Sequence, residues 1–252
     1  MNRTGISWTD FTWNPVSGCT KVSEGCKFCY AEAWSRRWHR PFEVTLHPEK
    51  LGEVRKIPPG SKVFVNSMSD LFHPKVPPNF TVKVFRAIES RPDVTFQILT
   101  KRPELIGAYT SSIDSGGDFE ELLAPANAWF GVSVENIHHK DRIAWLRHFK
   151  YEWPLLQLSK IFVSFEPLLG GVGKLNLKGI DWVVIGGESG PHHRPMKLEW
   201  ARNIVKQAKE QGVAVWMKQL GGMRPGGNLE DFPEDLRIRE FPHEMKVMEA
   251  LK

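Results

Sequence analysis

Short, nearly continuous hydrophobic runs recur along the chain, and most are followed by polar residues and a segment with helical spacing. The runs lie at 62–66, 94–99, 129–134, 160–165, 180–185 and 213–217. Strands that are buried on both faces have continuous rather than alternating hydrophobicity, so these runs predict a parallel β-sheet covered by helices. Six or seven such strands in one chain favour an α/β fold, a partial (β/α) TIM-like barrel.

Helices are predicted between the strands from their spacing and end signals. They cover 31–40, about 79–90 with Asn79 as N-cap, roughly two turns after Pro103, 138–149, and 198–211. Gly212 ends the last of them. Residues 6–13 are expected to form a short first strand or an extended arm, and the proline-containing residues 41–61 mostly a loop.

Composition and length favour a soluble globular protein of one domain, residues 1–252. Hydrophobic residues make up 41% and charged residues 25% of the chain, which is ordinary for such proteins. No run approaches the roughly eighteen apolar residues of a membrane span, and the start lacks the apolar core of a signal peptide. We expect a cytoplasmic protein with no membrane partner, an N-terminal cysteine loop (13–30), an inserted surface loop (111–127) and a C-terminal tail (221–252).

All three cysteines of the chain, Cys19, Cys26 and Cys29, lie in the cysteine loop with the spacing C-x6-C-x2-C. An odd number leaves one thiol over in any disulfide scheme, so the pattern favours a metal centre. Three thiolates on one loop suit an iron-sulfur cluster with one iron free of protein. The alternative is a zinc site completed by a histidine. The candidates for that fourth ligand are His39, His47 and His73.

The segment 25–30, GCKFCY, resembles the second half of the radical S-adenosylmethionine (SAM) signature, although the first gap places Cys19 off the common C-x3-C spacing. The longer segment 8–32 resembles a three-cysteine family common in phage and bacterial genomes. The resemblance implies that the three thiolates hold a 4Fe-4S cluster, that SAM binds its fourth iron, and that an external donor such as flavodoxin or ferredoxin supplies the electron. Reductive cleavage of SAM then gives methionine and a 5'-deoxyadenosyl radical, which abstracts hydrogen from the substrate.

The same resemblance implies residues that contact SAM. Radical SAM proteins usually carry a Gly-Gly-Glu-like motif after the strand that follows the cysteine loop, whereas this chain has NSMSD at 66–70. The candidates are Asn66, Ser67, Ser69 and Asp70 for the ammonium, Lys101 or Arg102 for the carboxylate, Ser133 and Glu135 for the ribose, and Phe28 and Tyr30 for the adenine.

Three strand ends carry a small residue two positions before a glutamate. The pairs are Ser133 and Glu135, Ser164 and Glu166, and Gly186 and Glu188. Residues two apart on a strand face the same side, and active sites of α/β barrels lie at the carboxyl ends of the strands. We therefore predict that Glu166, Glu188 and Lys218 are catalytic. The alternative is that the glutamates serve strand-end solubility and helix capping.

Basic and aromatic residues accumulate in the segments that follow the predicted strands and the cysteine loop. They are Trp34, Arg36, Arg37, Trp38, Arg40, Lys101, Arg102, 138–140 and 192–194. Phosphate contacts combined with aromatic stacking are typical of proteins that bind single-stranded or flipped-out nucleic acid. The net charge of +5 permits a polyanion without requiring one. Solvated charged loops are the alternative interpretation.

The sequence thus predicts a radical SAM enzyme that acts on a nucleic-acid base or nucleotide, in DNA or RNA, by modification or repair. One alternative is a radical SAM enzyme that acts on a peptide or a small metabolite. The other is a non-catalytic zinc or iron-sulfur nucleic-acid-binding protein, which the many strands disfavour because a small binding module does not need them.

Overall fold

A computed structural model of the chain describes residues 1–107, 124–152, 159–224 and 226–242. Most of the predicted inserted loop (111–127) and the end of the tail lie outside the described residues. The strands are β1 (Asn2–Arg3), β2 (Phe11–Trp13), β3 (Val16–Ser17), β4 (Thr45–Leu46), β5 (Lys62–Val65), β6 (Thr95–Thr100), β7 (Ala128–Ser133), β8 (Ile161–Phe165), β9 (Trp182–Gly186) and β10 (Ala214–Gln219). Among the described residues, the α-helices are α1 (Tyr30–Arg37), α2 (Pro78–Glu89), α3 (Asp141–Glu152) and α4 (Leu198–Glu210).

In the part of the chain that the structure describes, the main sheet has eight strands in the order β1-β2-β5-β6-β7-β8-β9-β10. All neighbours from β2 to β10 run parallel, and β1 adds an antiparallel edge. The sheet curls into a half-barrel, which confirms the predicted partial TIM-like barrel. Strands β3 and β4 form a separate ribbon that joins the cysteine loop to residue 46. No described helix is both long and apolar enough to cross a membrane.

Residue size along the inner face of the sheet explains why a cavity opens at one end of the barrel. Trp129, Phe162 and Trp182, near the amino ends of their strands, pack in an inner aromatic cluster. The same face carries small residues further along each strand. Ser133 and Gly186 lie four residues after Trp129 and Trp182, and Ser164 lies two residues after Phe162. The alternate residues of these strands face the helices and form the larger outer core. The inner face is therefore filled at the amino ends of the strands and open at the carboxyl ends.

Several predicted boundaries are wrong. Helix α1 ends at Arg37 rather than residue 40, because His39 adopts a positive φ of 50° that breaks the helix. The N-cap of α2 is Pro77, not Asn79, since consecutive prolines with fixed φ start the helix early. The segment predicted as loop contains a 3-10 helix at Pro48–Lys56. In the described residues after Pro103, only a short 3-10 turn at Pro103–Leu105 is present.

Candidate functional site

A cavity of about 640 Å³ lies at the carboxyl ends of the parallel strands. The cysteine loop forms one wall, and the ends of β5 to β10 contribute residues to the others. Most of the sequence-predicted site residues line it. They are Cys19, Cys26, Phe28, Cys29, Tyr30, Asn66, Ser67, Ser69, Asp70, Lys101, Arg102, Ser133, Glu166, Glu188 and Lys218. Its volume lies within the range of small-molecule sites.

The three cysteines are free thiols, partly buried, and all line this cavity. Cys26 ends a 3-10 turn and Cys29 is the N-cap of α1, so regular backbone structure positions two of the three cysteines. The Arg102 guanidinium lies 3.6 Å from the Cys19 sulfur. Burial, followed by the Asp70 carboxylate, raises the pKa of the Cys19 thiol, while Arg102 opposes the shift.

The histidines considered as a fourth zinc ligand bond to other groups or are exposed. His47 bonds to Ser17 through Nε2, at 2.8 Å. His73 uses Nε2 for Thr20, at 2.8 Å, and Nδ1 for the amide of Lys75. His39 is exposed just after α1. Among the described residues, no three His, Cys, Asp or Glu side chains are grouped around a position for a single metal ion.

The stretch after β5, predicted to contact SAM, lies directly beneath the cysteine loop and bonds to it. Asn66 accepts from the Val16 amide at 3.2 Å, Ser69 donates to the Val16 carbonyl at 2.8 Å, and Ser67 donates to the side chain of Asn14 at 3.2 Å. These groups position the wall that carries the thiols. Their predicted contact with SAM stays a prediction.

Asp70 is almost completely buried and is surrounded by donors from the protein. Thr100 donates to it at 2.8 Å, the Phe72 amide at 3.0 Å, and Arg102 at 3.2 Å. Arg102 also donates to the Thr20 carbonyl at 2.9 Å, between Cys19 and Cys26 in sequence. Asp70 and Arg102 therefore connect the ends of β5 and β6 to the cysteine loop.

Glu135 differs from the other candidates because its side chain is completely buried behind the cysteine loop and does not line the cavity. Arg142 lies 2.8 Å from its carboxylate, Lys101 lies at 3.5 Å, and the Ser23 hydroxyl donates at 2.5 Å. Burial disfavours its charge, but Lys101, Arg142 and Ser23 together hold its pKa below the usual value. In this position it supports the loop that carries the thiols.

Gly25 allows the cysteine loop to approach Glu135. A Cβ at this position would lie within 3.0 Å of the Glu135 side chain, which cannot move away because its ion pairs hold it. We expect Gly25→Ala to displace the loop and destabilise the protein by about 1–3 kcal/mol; a predicted 4Fe-4S cluster on this loop would then also be held less well, which would lower the iron content of anaerobically purified protein. Unfolding midpoints and iron analysis check this. Gly52→Ala, with nothing within 4 Å of the added carbon, is the matched control. Equal behaviour of the two variants would contradict the role given to Gly25.

The predicted catalytic residues form two ion pairs in the cavity. Lys218 pairs with Glu166, which joins β10 to the end of β8 across the sheet. Glu188 is held by Arg194, whose guanidinium donates to both carboxylate oxygens at 2.8 Å and 2.5 Å. Burial opposes its charge, but these bonds hold the pKa of Glu188 below the usual value. Arg194 also lies 5.2 Å from the ring centre of Phe28, so it connects the loop after β9 with the cysteine loop.

Three buried polar atoms on cavity-lining residues lack hydrogen-bond partners in the described structure. They are the Trp8 indole nitrogen, the Asn66 amide nitrogen and the Ser164 hydroxyl. Unpartnered buried polar groups are uncommon in native proteins, and a bound ligand is one way to satisfy them. Together with three free thiols on one wall, these groups fit a cavity that holds a cofactor and a small organic ligand.

Sequence reasoning missed Trp8, Ser23, Arg142 and Arg194 as parts of this site. Ser23 lies in the loop already singled out, and Arg194 lies in the basic segment 192–194, but neither pattern indicates which glutamate it meets. Arg142 lies on the helix after β7, seven residues beyond Glu135, and no motif marks it.

Comparison with known proteins adds a family and two structures. A family model described as "Protein of unknown function (DUF5131)" matches residues 3–244. No curated protein gives a significant match. A cysteine-to-serine mutant of spore photoproduct lyase is similar in structure, with a TM-score of 0.48 and 13% identity, covering 83% of this chain. Spore photoproduct lyase complexed with dinucleoside spore photoproduct is similar with a TM-score of 0.47 and 11% identity. This chain spans about 63% of the length of each.

Proposed function

The chain belongs to the DUF5131 family, and we propose that this member is a radical SAM enzyme whose substrate is a nucleic-acid base or nucleotide. One observation carries the proposal: three free cysteines from one loop line a single cavity at the carboxyl ends of parallel strands. Cys19, Cys26 and Cys29 would hold a 4Fe-4S cluster. When bound, the cluster supplies an electron, received from an external donor of the flavodoxin or ferredoxin class, for cleavage of SAM. Free thiols in such a site also suit the reducing cytoplasm.

The chain's own residues position the reactants and shield them from water. The bonds from Asn66, Ser67 and Ser69 to the cysteine loop, with Glu135 behind it, keep the wall of the cavity in place before any ligand binds. Preorganised positioning of this kind lowers a barrier because the ordering is completed during folding. The inner aromatic cluster closes the floor.

The Glu166–Lys218 pair is the charged group best placed to orient a substrate. Both side chains line the cavity and are mostly buried, 19% and 15% exposed. An ammonium has three donors, and pairing with Glu166 occupies only part of that capacity. The remaining donors of Lys218 suit carbonyl or phosphate oxygens of a substrate.

The proposed nucleic-acid substrate is supported by the charge and aromatic groups around the cavity. Lys101 lines it, and Lys27 and Arg194 each lie 5.2 Å from the ring centre of Phe28, which also lines it. Cations beside an aromatic face suit phosphates and bases together. A peptide or small-metabolite substrate remains the alternative within the same chemistry.

The proposal is tested by adding SAM to the anaerobically purified, chemically reduced protein. A 4Fe-4S cluster held by three thiolates would leave one iron open to SAM, so we expect SAM to change the electron paramagnetic resonance spectrum and to yield 5'-deoxyadenosine. An unchanged spectrum at saturating SAM would refute the radical SAM assignment. Comparing 5'-deoxyadenosine formation with single-stranded DNA, RNA, nucleotides and peptides then ranks the substrate classes.

A further inference from the structure

Helix α1 carries a row of exposed aromatic side chains that starts at the cavity. Tyr30, Trp34 and Trp38 are 55%, 48% and 58% exposed. They are spaced by four residues, so they follow one face of the helix. Trp38 continues the last turn, because its amide bonds to the Trp34 carbonyl at 3.2 Å. Tyr30 also lines the cavity, and its hydroxyl bonds to the Ser67 carbonyl at the cavity wall. We name Tyr30, Trp34 and Trp38 the aromatic stripe.

Such exposure needs a reason, because large aromatic side chains gain free energy when they are buried. Trp34 and Trp38 contact each other, with ring centres 6.2 Å apart, but each leaves about half of its surface in solvent. Exposed apolar surface of this kind, bordered by charged residues, often marks a binding site. The stripe begins at the cavity, so an occupant of the stripe can reach the proposed reaction site.

The segment that carries the stripe has a net positive charge. Residues 21–40 contain five Lys or Arg and two Glu, a net charge of +3 out of +5 for the chain. Arg40 lies 5.8 Å from the ring centre of Trp34. Arg36 and Lys21 both pair with Glu32, whereas Arg37 and Arg40 form no ion pair with any described residue. Aromatic faces next to unpaired cations are complementary to bases joined by phosphates.

The spacing of the stripe selects the form of the nucleic acid. Residues four apart on an α-helix are separated by a rise of about 6 Å, whereas stacked bases in one strand are about 3.4 Å apart. Bases that stack on successive aromatic rings of α1 are therefore separated from one another, which a paired duplex does not permit. An unpaired strand adopts this spacing at little cost, and every base has a face that stacks on an aromatic ring.

We propose that the aromatic stripe, with Arg37 and Arg40, binds single-stranded nucleic acid and leads one unpaired nucleotide past Tyr30 into the cavity. This inference rests on the proposed function for the identity of the substrate, and it adds the strand form and the surface that binds it. Tyr30, Trp34 and Trp38 are binding residues here and take no part in the chemistry.

The test measures binding of fluorescently labelled mixed-sequence DNA and RNA 12-mers, single-stranded and duplex, to the full-length protein at low salt by anisotropy. We expect the single strands to bind more tightly than the duplexes. Trp34→Ala and Trp38→Ala should each weaken single-strand binding by about fivefold or more, and the double variant by more. Trp145→Ala is the matched control, because Trp145 is 46% exposed on α3 and does not line the cavity. It should bind like wild type.

Salt dependence tests the cationic part of the surface. Replacing Arg37 and Arg40 with glutamine should reduce the slope of log Kd against log salt by about 1.4, if each meets one phosphate. Lys206→Gln with Lys209→Gln, on the exposed face of α4, controls for net charge and should leave the slope near the wild-type value. Unfolding midpoints of all variants establish that folding is intact.

Three results would overturn the proposal. In the first, the Trp34/Trp38 double variant binds single strands as tightly as Trp145→Ala does. In the second, the wild-type protein binds duplexes as tightly as single strands. In the third, the wild-type protein binds no nucleic acid detectably. If the double variant binds nucleic acid normally but loses reduction by flavodoxin, the stripe is a docking surface for an electron donor instead. None of these results depends on SAM cleavage, so failure of the stripe and failure of the radical chemistry are seen separately.

Discussion

Replacing Cys26 with alanine is expected to abolish stable iron binding, with the same outcome for Cys29→Ala and Cys19→Ala. The chain has only three cysteines, and all three line one cavity, so each loss leaves two thiolates for a cluster that needs three. Iron and acid-labile sulfide per protein, after anaerobic reconstitution, should fall from about four of each to near zero.

Cys19 is the informative member of this set. It lies off the common spacing, and burial with Asp70 nearby raises the pKa of its thiol, whereas a ligand must be a thiolate. Near-stoichiometric iron and sulfide in Cys19→Ala would show that Cys19 is not a ligand. Zinc without sulfide in the wild-type protein would favour the zinc alternative. Ser90→Ala, on an exposed residue at the end of α2, is the control for iron and sulfide lost during purification and reconstitution.

Glu135→Gln is expected to destabilise the protein by about 3–5 kcal/mol, the usual cost of removing one partner of a buried ion pair. Arg142 would keep its charge beside the Ser133 carbonyl and the new, uncharged amide, and Lys101 would lose its ion pair with Glu135. The free energy of unfolding in urea measures the effect. Glu199→Gln breaks the exposed pair with Lys197, at 3.9 Å, and should change stability by less than about 1 kcal/mol.

The free energy of unfolding measured as a function of pH, on the acid side of neutrality, gives a second test of Glu135. Its pKa is lower in the folded than in the unfolded chain, so its contribution is fully present above the ordinary glutamate pKa. The contribution is lost as the pH falls through the folded-state pKa. The difference between wild type and Glu135→Gln should therefore shrink in acid. Equal stability of Glu135→Gln and Glu199→Gln at neutral pH would show that the buried pair contributes nothing measurable.

The sequence alone predicted the parallel sheet, the end of the sheet at which the cavity opens, and the loop that brings the three cysteines to that cavity. Strands β5 to β10 are covered by helices outside and by the aromatic cluster or cavity inside, and burial on both faces leaves continuous hydrophobic runs that can be read directly. The Ser164 and Glu166 pair could be placed at the cavity because alternation along a strand is a local property. The cysteine spacing is equally local.

Only the tertiary structure decided which polar groups meet. Asp70 and Arg102 are 32 residues apart and Glu166 and Lys218 are 52 apart, and no local pattern records such pairings. The three small-x-Glu pairs look equivalent in sequence, yet Glu135 is buried behind the cysteine loop, Glu188 is bound by Arg194, and Glu166 faces Lys218. Their differences come from neighbours that the fold brings together, because a carboxylate's role depends on the charges and solvent around it.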